Sequence, residues 1–264
     1  MSRPVAPYLS HEHPIRFAHR GSRILWPENT MAAFEGAVDL GYRYIETDVR
    51  ITRDRQVVVF HDEALERTTN GVGQVVDWLW EDLRLLDAGW SFEESGGHPW
   101  RGRGVGISRL ADVLAAFPDV CFNIDLKGPG LEWPVAEVVR AAGREESVLV
   151  GSFVGHRTAR FRRITGGRVA TAAGPSAVLA MWTASRAGRS IRGAADAFQV
   201  PFDHRALPID AKYVAAIHAA GAQIHCWTVN EPDAMRRLLD LGVDGIVTDR
   251  PDLLNEVLFP QSGG

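Results

Sequence analysis

Cysteine is scarce in this chain of 264 residues, and long apolar runs are missing. The two cysteines, Cys121 and Cys226, lie far apart in apolar segments, so we expect buried free thiols rather than a disulfide. No segment is long and apolar enough to span a bilayer, and residues 1–16 contain no run of signal-peptide length. We therefore expect a cytoplasmic protein without a transmembrane segment.

A large net charge is also lacking. The chain has 29 Lys and Arg against 33 Asp and Glu, which gives a formal charge of −4. Proteins that bind nucleic acids usually present a basic face, so no nucleic-acid partner is expected. The basic cluster of Arg157, Arg160, Arg162 and Arg163 is more simply a solvated helix face. Composition leaves the oligomeric state open, with a homo-oligomer among the alternatives.

Apolar runs alternate with helical patterns along the chain, which is typical of βαβ units. Helices are predicted over 30–40, 211–220 and 231–241, each followed by a glycine suited to a C-cap. The predicted strands are Arg16–His19, Arg43–Val49, Val120–Leu126, Val148–Ser152, Arg168–Ala172, Ala197–Val200, Gln223–Val229 and Asp244–Thr248. Eight strands with helical connections predict an α/β fold, a (β/α)8 TIM barrel that forms one domain over residues 1–264.

A ninth apolar run, Val57–Phe60, follows the second strand too closely for a parallel crossover. It is therefore predicted to return as a hairpin that turns at Asp54-Arg55. Pairing about that turn places His61 opposite Asp48, at the level of the acidic residues of the second strand.

Strand parity brings several ionisable side chains together. Glu46 and Asp48 share one face of the second strand, and Asn123, Asp125 and Lys127 share one face of the third. Both sets lie near the C-terminal strand ends, where barrel enzymes carry their sites. Three converging carboxylates repel one another unless a cation or protons intervene, which favours a hard divalent ion, Mg²⁺ or Ca²⁺.

Further fragments supply the remaining groups for metal-assisted attack on a phosphate ester. His19-Arg20-Gly21 and His61-Asp62 offer imidazoles for proton transfer and a guanidinium for phosphate oxygens, and Glu28-Asn29 adds another acid. Each fragment alone has an ordinary structural explanation, such as a surface strand or a turn residue. Their coincidence at strand ends within one fold supports the functional interpretation.

The order and spacing of these motifs resemble the glycerophosphodiester phosphodiesterase family. The resemblance covers nearly the whole chain, through His19-Arg20-Gly21, Pro27-Glu28-Asn29-Thr30, Glu46-Thr47-Asp48, His61-Asp62, Arg67-Thr68-Thr69-Asn70-Gly71, Asn123-Ile124-Asp125-Leu126-Lys127, Ser152-Phe153, Trp227-Thr228-Val229-Asn230 and Gly245-Ile246-Val247-Thr248-Asp249-Arg250-Pro251. It implies a barrel enzyme that hydrolyses small glycerophosphodiesters to glycerol 3-phosphate and an alcohol, and that takes part in lipid and glycerol metabolism.

The resemblance also implies roles for individual residues. His19 and His61 would form the acid/base pair, and Glu46, Asp48 and Asp125 would bind the divalent metal. The expected substrate- and phosphate-binding residues are Arg20, Lys127, Glu28 and Trp227. Residues of about 64–107 would form the insertion that this family carries over the barrel mouth, its tryptophans 78, 80, 90 and 100 mostly attaching it to the barrel.

One departure concerns Asp125, since the family commonly has Glu there. The shorter side chain keeps the charge but moves it by about one methylene, which affects metal preference. The run from Gly106 to Leu110 also differs from the family's usual sequence and leaves the start of the next helix open.

Three alternatives remain at this stage. A phosphodiesterase on lysophospholipids or sphingolipids would leave a cyclic phosphate, and a non-catalytic barrel would only bind glycerophosphodiesters. A Schiff-base aldolase would use Lys127, which needs a lowered pKa that neighbouring Asp125 opposes. The sequence does not decide whether water or the glycerol hydroxyl attacks, or which histidine is the acid.

Overall fold

The computed structural model describes residues 6–10, 13–193 and 195–260. The strands are β1 (Ile15–His19), β2 (Tyr44–Ile51), β3 (Val57–Val59), β4 (Ser108–Arg109), β5 (Cys121–Leu126), β6 (Val148–Gly151), β7 (Ala170–Thr171), β8 (Ala197–Pro201), β9 (Gln223–Trp227) and β10 (Gly245–Thr248). The helices are α1 (Met31–Asp39), α2 (Trp80–Leu83), α3 (Leu110–Ala116), α4 (Glu132–Ala141), α5 (Gly155–Ile164), α6 (Pro175–Arg186), α7 (Ala211–Ala219), α8 (Pro232–Asp240) and α9 (Pro251–Leu258).

Parallel strands form a nearly closed barrel in the order β7-β6-β5-β2-β1-β10-β9-β8. A single parallel bridge between Ala172 and Ala197 joins the two ends of this order. The predicted (β/α)8 barrel is therefore confirmed. β7 is shorter than predicted, two residues instead of the run Arg168–Ala172, and β9 ends at Trp227 rather than at Val229.

Because side chains alternate along each strand, the apolar ones pack either outward against the helices or inward in the barrel interior. Ile45 and Val49 of β2 and Ile124 of β5 pack outward against the helices, together with Phe34 of α1. The helices begin where the sequence provides caps: the Thr30 side chain accepts a hydrogen bond from the Ala33 N–H at the start of α1. Within the described ranges, no helix combines the length and apolar character that a bilayer crossing requires.

The antiparallel hairpin of β2 and β3 forms as predicted, but its register was predicted wrongly by one residue. Val49 pairs with Val59, so Phe60 rather than His61 lies opposite Asp48, and the Phe60 N–H donates to the Asp48 carbonyl over 2.9 Å. The reason is a three-residue loop in place of the two-residue turn. Arg55 adopts a left-handed conformation with φ of 63°, which is common in such loops.

A further short strand, β4, pairs with β3 and was not predicted. Between β3 and β4 the chain forms a small core of its own, built from Val58, Phe60, Leu65, Val75, Leu83, Ala88 and Ile107. The segment between the two strands, residues 60–107, contains the whole of the predicted insertion. The division of the chain into one domain stays a prediction, and residues 1–5, 11–12, 194 and 261–264 lie outside the described residues.

The N-terminal end of the barrel is closed by aromatic packing. Tyr44 donates its hydroxyl proton to the Tyr8 carbonyl over 2.6 Å, and its ring packs edge-on against Phe17. Gly245 leaves room for this packing, because a Cβ there would lie 2.9 Å from atoms of both Phe17 and His225. Both cysteines are free and buried, as expected.

His225 is fully buried in this packing and is held as a neutral imidazole. Its Nε2 lies 3.1 Å from Gln223 Oε1, which suits Nε2–H as the donor, and its Nδ1 lies 3.5 Å from Gln199 Nε2. Burial lowers the pKa of His225 to about 4, although Asp244 raises it.

The buried imidazole predicts a specific loss of stability in acid. The unfolded chain binds a proton at His225 below about pH 6.5, whereas the folded chain resists protonation until about pH 4, so stability falls across this window. We expect His225 to contribute a loss of about 3 kcal/mol between these limits. Urea unfolding from pH 7.5 to 4 should show a shallower decline for His225→Gln, whereas His156→Gln on α5 keeps the wild-type decline. Equal slopes in His225→Gln and the wild type would contradict this assignment.

Candidate functional site

The C-terminal strand ends surround a cavity of about 600 Å³. One side of it is polar and contains residues that the sequence singled out, namely His19, Arg20, Glu46, His61, Asn123, Asp125 and Lys127. The strand parity is confirmed: β2 and β5 pair with Glu46 beside Asn123 and Asp48 beside Asp125.

The turn after β1 positions the first histidine and arginine. Arg20 and Gly21 both adopt left-handed conformations, with φ of 55° and 80°. Gly21 is required sterically as well, because a Cβ there would lie 2.6 Å from Ala33 Cβ in α1. The Arg20 N–H donates to the Glu46 carbonyl over 2.8 Å, which returns the chain over the end of β2.

Asp48 is the most strongly neutralised of the three acids. Lys127 Nζ lies 3.0 Å from its Oδ1, and Arg20 Nε lies 2.9 Å from its Oδ2. Asn29 donates to Oδ2 over 2.9 Å. Burial raises the pKa of Asp48, but these cations outweigh burial and hold the pKa below its usual range.

Glu46 and Asp125 are less well neutralised. Burial, followed by the charge of Asp48, raises the pKa of Glu46. Burial raises the pKa of Asp125 as well, although Lys127 Nζ lies 2.6 Å from its Oδ2. One buried oxygen of each, Glu46 Oε2 and Asp125 Oδ1, has no hydrogen-bond partner.

These two oxygens give a test of whether the acids suit a divalent cation. Buried carboxylate oxygens without a donor are the ligands that Mg²⁺ and Ca²⁺ prefer, so the chemistry of the donor set fits. Within the described part of the chain, no three His, Cys, Asp or Glu side chains are already grouped as a metal site requires. Instead, Lys127 bridges Asp48 and Asp125.

His19 is oriented by a buried carboxylate that sequence reasoning did not single out. Its Nδ1 lies 2.7 Å from Asp249 Oδ1, while its Nε2 lies 3.7 Å from Glu46 Oε2. Asp249 also accepts from Arg23 Nε and Asn230 Nδ2. Burial lowers the pKa of His19, but Glu46 and Asp249 outweigh burial and raise it above its ordinary value.

His61 has a similar partner on the opposite side of the acids. Its Nδ1 lies 2.5 Å from Asp62 Oδ1, and Asp62 in turn accepts from Arg67. Burial lowers the pKa of His61 and outweighs the charge of Asp48. The two imidazoles therefore share one arrangement: a carboxylate oxygen lies within hydrogen-bond distance of Nδ1, and the ring lines the cavity.

Arg67 connects the partner of His61, Asp62, with the partner of Arg20, Glu28. Its guanidinium donates to both carboxylate oxygens of Glu28, over 2.9 and 2.7 Å, and to Asp62. Glu28 also accepts from Arg20 over 2.9 Å. Glu28 is thus occupied by two guanidinium groups and supports Arg20 from outside the cavity lining. The substrate contact expected for it stays a prediction.

Trp227 lies in the cavity wall, where its ring packs edge-on against Phe153 at 5.4 Å between centroids. The four tryptophans of the predicted insertion lie outside the cavity lining. Two of them, Trp78 and Trp80, pack against the small core of that segment.

Asp249 could have been identified from the sequence through the strand order of a closed barrel. It directly follows β10, and barrel closure sets β10 beside β1, which ends at His19. Arg67 gave no comparable signal, because its partners come from two loops whose shapes the sequence does not fix.

Comparison with known proteins agrees with this geometry. The pattern of the Glycerophosphoryl diester phosphodiesterase family matches residues 19–253. The "Probable glycerophosphodiester phosphodiesterase 2" of Mycobacterium tuberculosis is 41% identical over 97% of this chain and 95% of its own length. The glycerophosphodiester phosphodiesterase of Bacillus altitudinis is 36% identical over 89% of this chain and 94% of its own.

A similar fold is found in a phosphodiesterase from Oleispira antarctica, solved in complex with the product sn-glycerol-3-phosphate. The TM-score is 0.74 at 24% identity, and the match covers 93% of this chain and 97% of the other. Two close sequence relatives, the family pattern over most of the chain and the paired imidazoles at the strand ends lead to one conclusion. This chain belongs to the glycerophosphodiester phosphodiesterase family and is a phosphoric diester hydrolase.

Proposed function

We propose that the protein hydrolyses glycerophosphodiesters to glycerol 3-phosphate and an alcohol in a reaction that depends on a divalent cation, with His19 and His61 as the acid/base pair. The observation that carries the proposal is the matched pair of imidazoles. Each has its Nδ1 bound by a carboxylate, and both line the cavity that contains Arg20 and Lys127.

Glu46, Asp48 and Asp125 would hold the cation, Mg²⁺ or Ca²⁺. Support comes from the buried oxygens of Glu46 and Asp125 that lack a donor. A bound divalent cation neutralises charge on the non-bridging phosphate oxygens, the main requirement of phosphoryl transfer.

The cationic side chains supply further positive charge for the phosphate. Arg20 and Lys127 reach the cavity from opposite sides of Asp48 and are kept charged. Burial lowers the pKa of Lys127, but Asp48, Asp125 and Glu46 raise it more. A planar guanidinium and a point-charge ammonium in one site suit the oxygens of a phosphodiester.

Proton transfer falls to the two Nε2 atoms. One imidazole accepts the proton of the attacking hydroxyl, from water or from the glycerol itself, and the other donates a proton to the leaving alcohol oxygen. Each transfer contributes about a hundred- to ten-thousand-fold to the rate. Hydrogen bonds from Nδ1–H to Asp249 and Asp62 would leave each Nε2 for proton transfer, with a free lone pair on the base and a proton on the acid.

The competing hypotheses differ in what the site requires. A Schiff-base aldolase needs a lysine of lowered pKa, and the pKa of Lys127 is raised. A non-catalytic binding barrel has no need for two imidazoles with matched carboxylates. Product analysis distinguishes a cyclic phosphate from glycerol 3-phosphate. The product sn-glycerol-3-phosphate in the Oleispira antarctica phosphodiesterase supports the hydrolytic outcome.

Removal of the metal should stop turnover, and removal of either imidazole should slow it sharply. Glycerol 3-phosphate release from glycerophosphocholine and glycerophosphoethanolamine is expected to stop with EDTA and to return with Mg²⁺ or Ca²⁺. His19→Ala and His61→Ala should each lower kcat about a hundred-fold or more, because one proton transfer is lost. His156→Ala, on the exposed face of α5, serves as the control and should match the wild type. Turnover in EDTA-treated protein, or phosphorus NMR showing a cyclic phosphate as the final product, would contradict the proposal.

Loss of one carboxylate should weaken cation binding directly. Asp125→Asn removes one charge from the proposed ligand set, so the Kd for Ca²⁺ or Mg²⁺ in calorimetry should rise about tenfold or more. Asp119→Asn, an exposed residue just before β5, changes the same charge away from the site and should bind as the wild type does. Equal affinities for the three proteins would exclude Asp125 as a ligand.

The contact of Asp249 with His19 predicts that substitution of Asp249 lowers the rate without weakening substrate binding. In Asp249→Asn the amide no longer fixes the His19 tautomer, so kcat should fall about a hundred- to ten-thousand-fold with little change in KM. Asp244→Asn is the matched control, because Asp244 accepts from His218 Nε2 over 2.8 Å outside the cavity. NMR of the His19 ring nitrogens should show a changed tautomer ratio in Asp249→Asn alone. An unchanged kcat would contradict the orienting role.

A further inference from the structure

The cavity is much larger than its polar end. Its volume of about 600 Å³ falls within the range of about 300–1,000 Å³ that holds drug-sized ligands, and a glycerophosphate group fills only part of such a space. The remaining wall is mostly apolar, and its apolar side chains include Phe153, Ala173, Pro175, Val178, Leu207 and Trp227.

This apolar wall lies directly beside the polar end of the cavity. Lys127 Nζ lies 5.1 Å from the centroid of the Phe153 ring, and Phe153 packs against Trp227. The Phe153 side chain is nevertheless 60% exposed. An apolar group attached to a phosphate held by Lys127 would therefore meet this ring first and cover it.

The wall offers little for a cationic alcohol such as choline or ethanolamine. Among the described lining residues, the carboxylates are Glu46 and Asp125, both at the polar end. Asp125 is already paired with Lys127, which also lies against the Phe153 ring. A quaternary ammonium on the Phe153 ring would share it with Lys127, and the Trp227 ring, the other aromatic surface of the wall, already packs edge-on against Phe153.

The two arms of the substrate therefore have different surroundings. The glycerol arm carries two hydroxyls that need hydrogen-bond partners, which the polar end supplies through Glu46 and Asn123. Of the polar side chains beside the apolar wall, Ser152 already donates to the Leu126 carbonyl and Gln199 faces His225, which leaves His204 and Thr228 in the described lining. The wall therefore suits an arm without hydroxyls better than one that carries them.

We propose that the apolar wall binds an aliphatic leaving alcohol, so that the preferred substrates are glycerophosphodiesters esterified to a neutral alkyl group rather than to a cationic one. This inference rests on the proposed function, since it concerns the alcohol released by the same hydrolysis.

A series of synthetic diesters tests it. Glycerol 3-phosphate esterified to methanol, butanol and hexanol should show kcat/KM rising about two- to fourfold for each added methylene, as expected when each becomes buried. The choline diester should be hydrolysed at least about tenfold less efficiently than its neutral isostere, in which a tert-butyl group replaces trimethylammonium.

Two adjacent residues of α6 provide matched variants. Val178 lines the cavity, whereas Leu179 is 52% exposed and lies outside its lining. Val178→Asp should remove the preference for the hexyl over the methyl diester and shift selectivity toward choline, and Leu179→Asp should keep both wild-type ratios. Val178→Thr, which keeps the shape of valine, should reduce the chain-length effect in part. Because each result is a ratio measured within one protein, a partly unfolded variant does not change it.

The other outcomes overturn the inference. Hydrolysis of the methyl and choline diesters with no dependence on chain length would overturn it and leave the proposed function intact. A rate increase only when the alkyl chain is on the glycerol arm would overturn the assignment to the leaving alcohol. Failure to hydrolyse any diester would instead overturn the proposed function, and this inference with it.

Discussion

The charge balance of three closely placed carboxylates, two buried and one only slightly exposed, determines the rest of the site. Glu46, Asp48 and Asp125 lie on two adjacent parallel strands whose register puts Asp48 beside Asp125. Carboxylates this close cannot all stay ionised in a buried site without cations. Lys127 and Arg20 balance Asp48, while Glu46 and Asp125 keep raised pKa values and oxygens without donors. The cationic side chains therefore do not balance the negative charge of all three carboxylates. A bound phosphodiester alone would add further negative charge.

The side chains of the site are oriented by residues that are far apart in sequence. His19 ends β1, and its carboxylate partner Asp249 follows β10, so barrel closure is what pairs them. His61 follows the hairpin strand β3, and Asp62 beside it is held by Arg67. Arg67 then reaches Glu28, and Glu28 reaches Arg20. Folding of the segment after β3 is therefore linked to the orientation of His61.

The sequence predicted those features that depend on alternation and strand order. Parity alone placed Glu46, Asp48 and Asp125 on one face, because side chains of a strand must alternate whatever the surroundings. The hairpin register failed because it depends on loop conformation: Arg55 takes a left-handed φ that few non-glycine residues adopt, and the loop gains a residue. The role of Arg67 was not predicted for a related reason: its partners, Glu28 and Asp62, belong to loops.

The contrast between the two ends of the cavity is the next constraint on function. At the polar end, the ion pairs of Lys127 with Asp48 and Asp125 depend on the register of β2 and β5, so little can change there without loss of charge balance. The apolar wall comes from the loops after β6 and β8, from the last residue of β9 and from α6, through Phe153, Leu207, Trp227 and Val178 in turn. Loops tolerate substitution far better than a buried ionic cluster does. Since we propose that this wall binds the leaving alcohol, substitutions there are expected to change which alcohol is released while the phosphate chemistry stays the same.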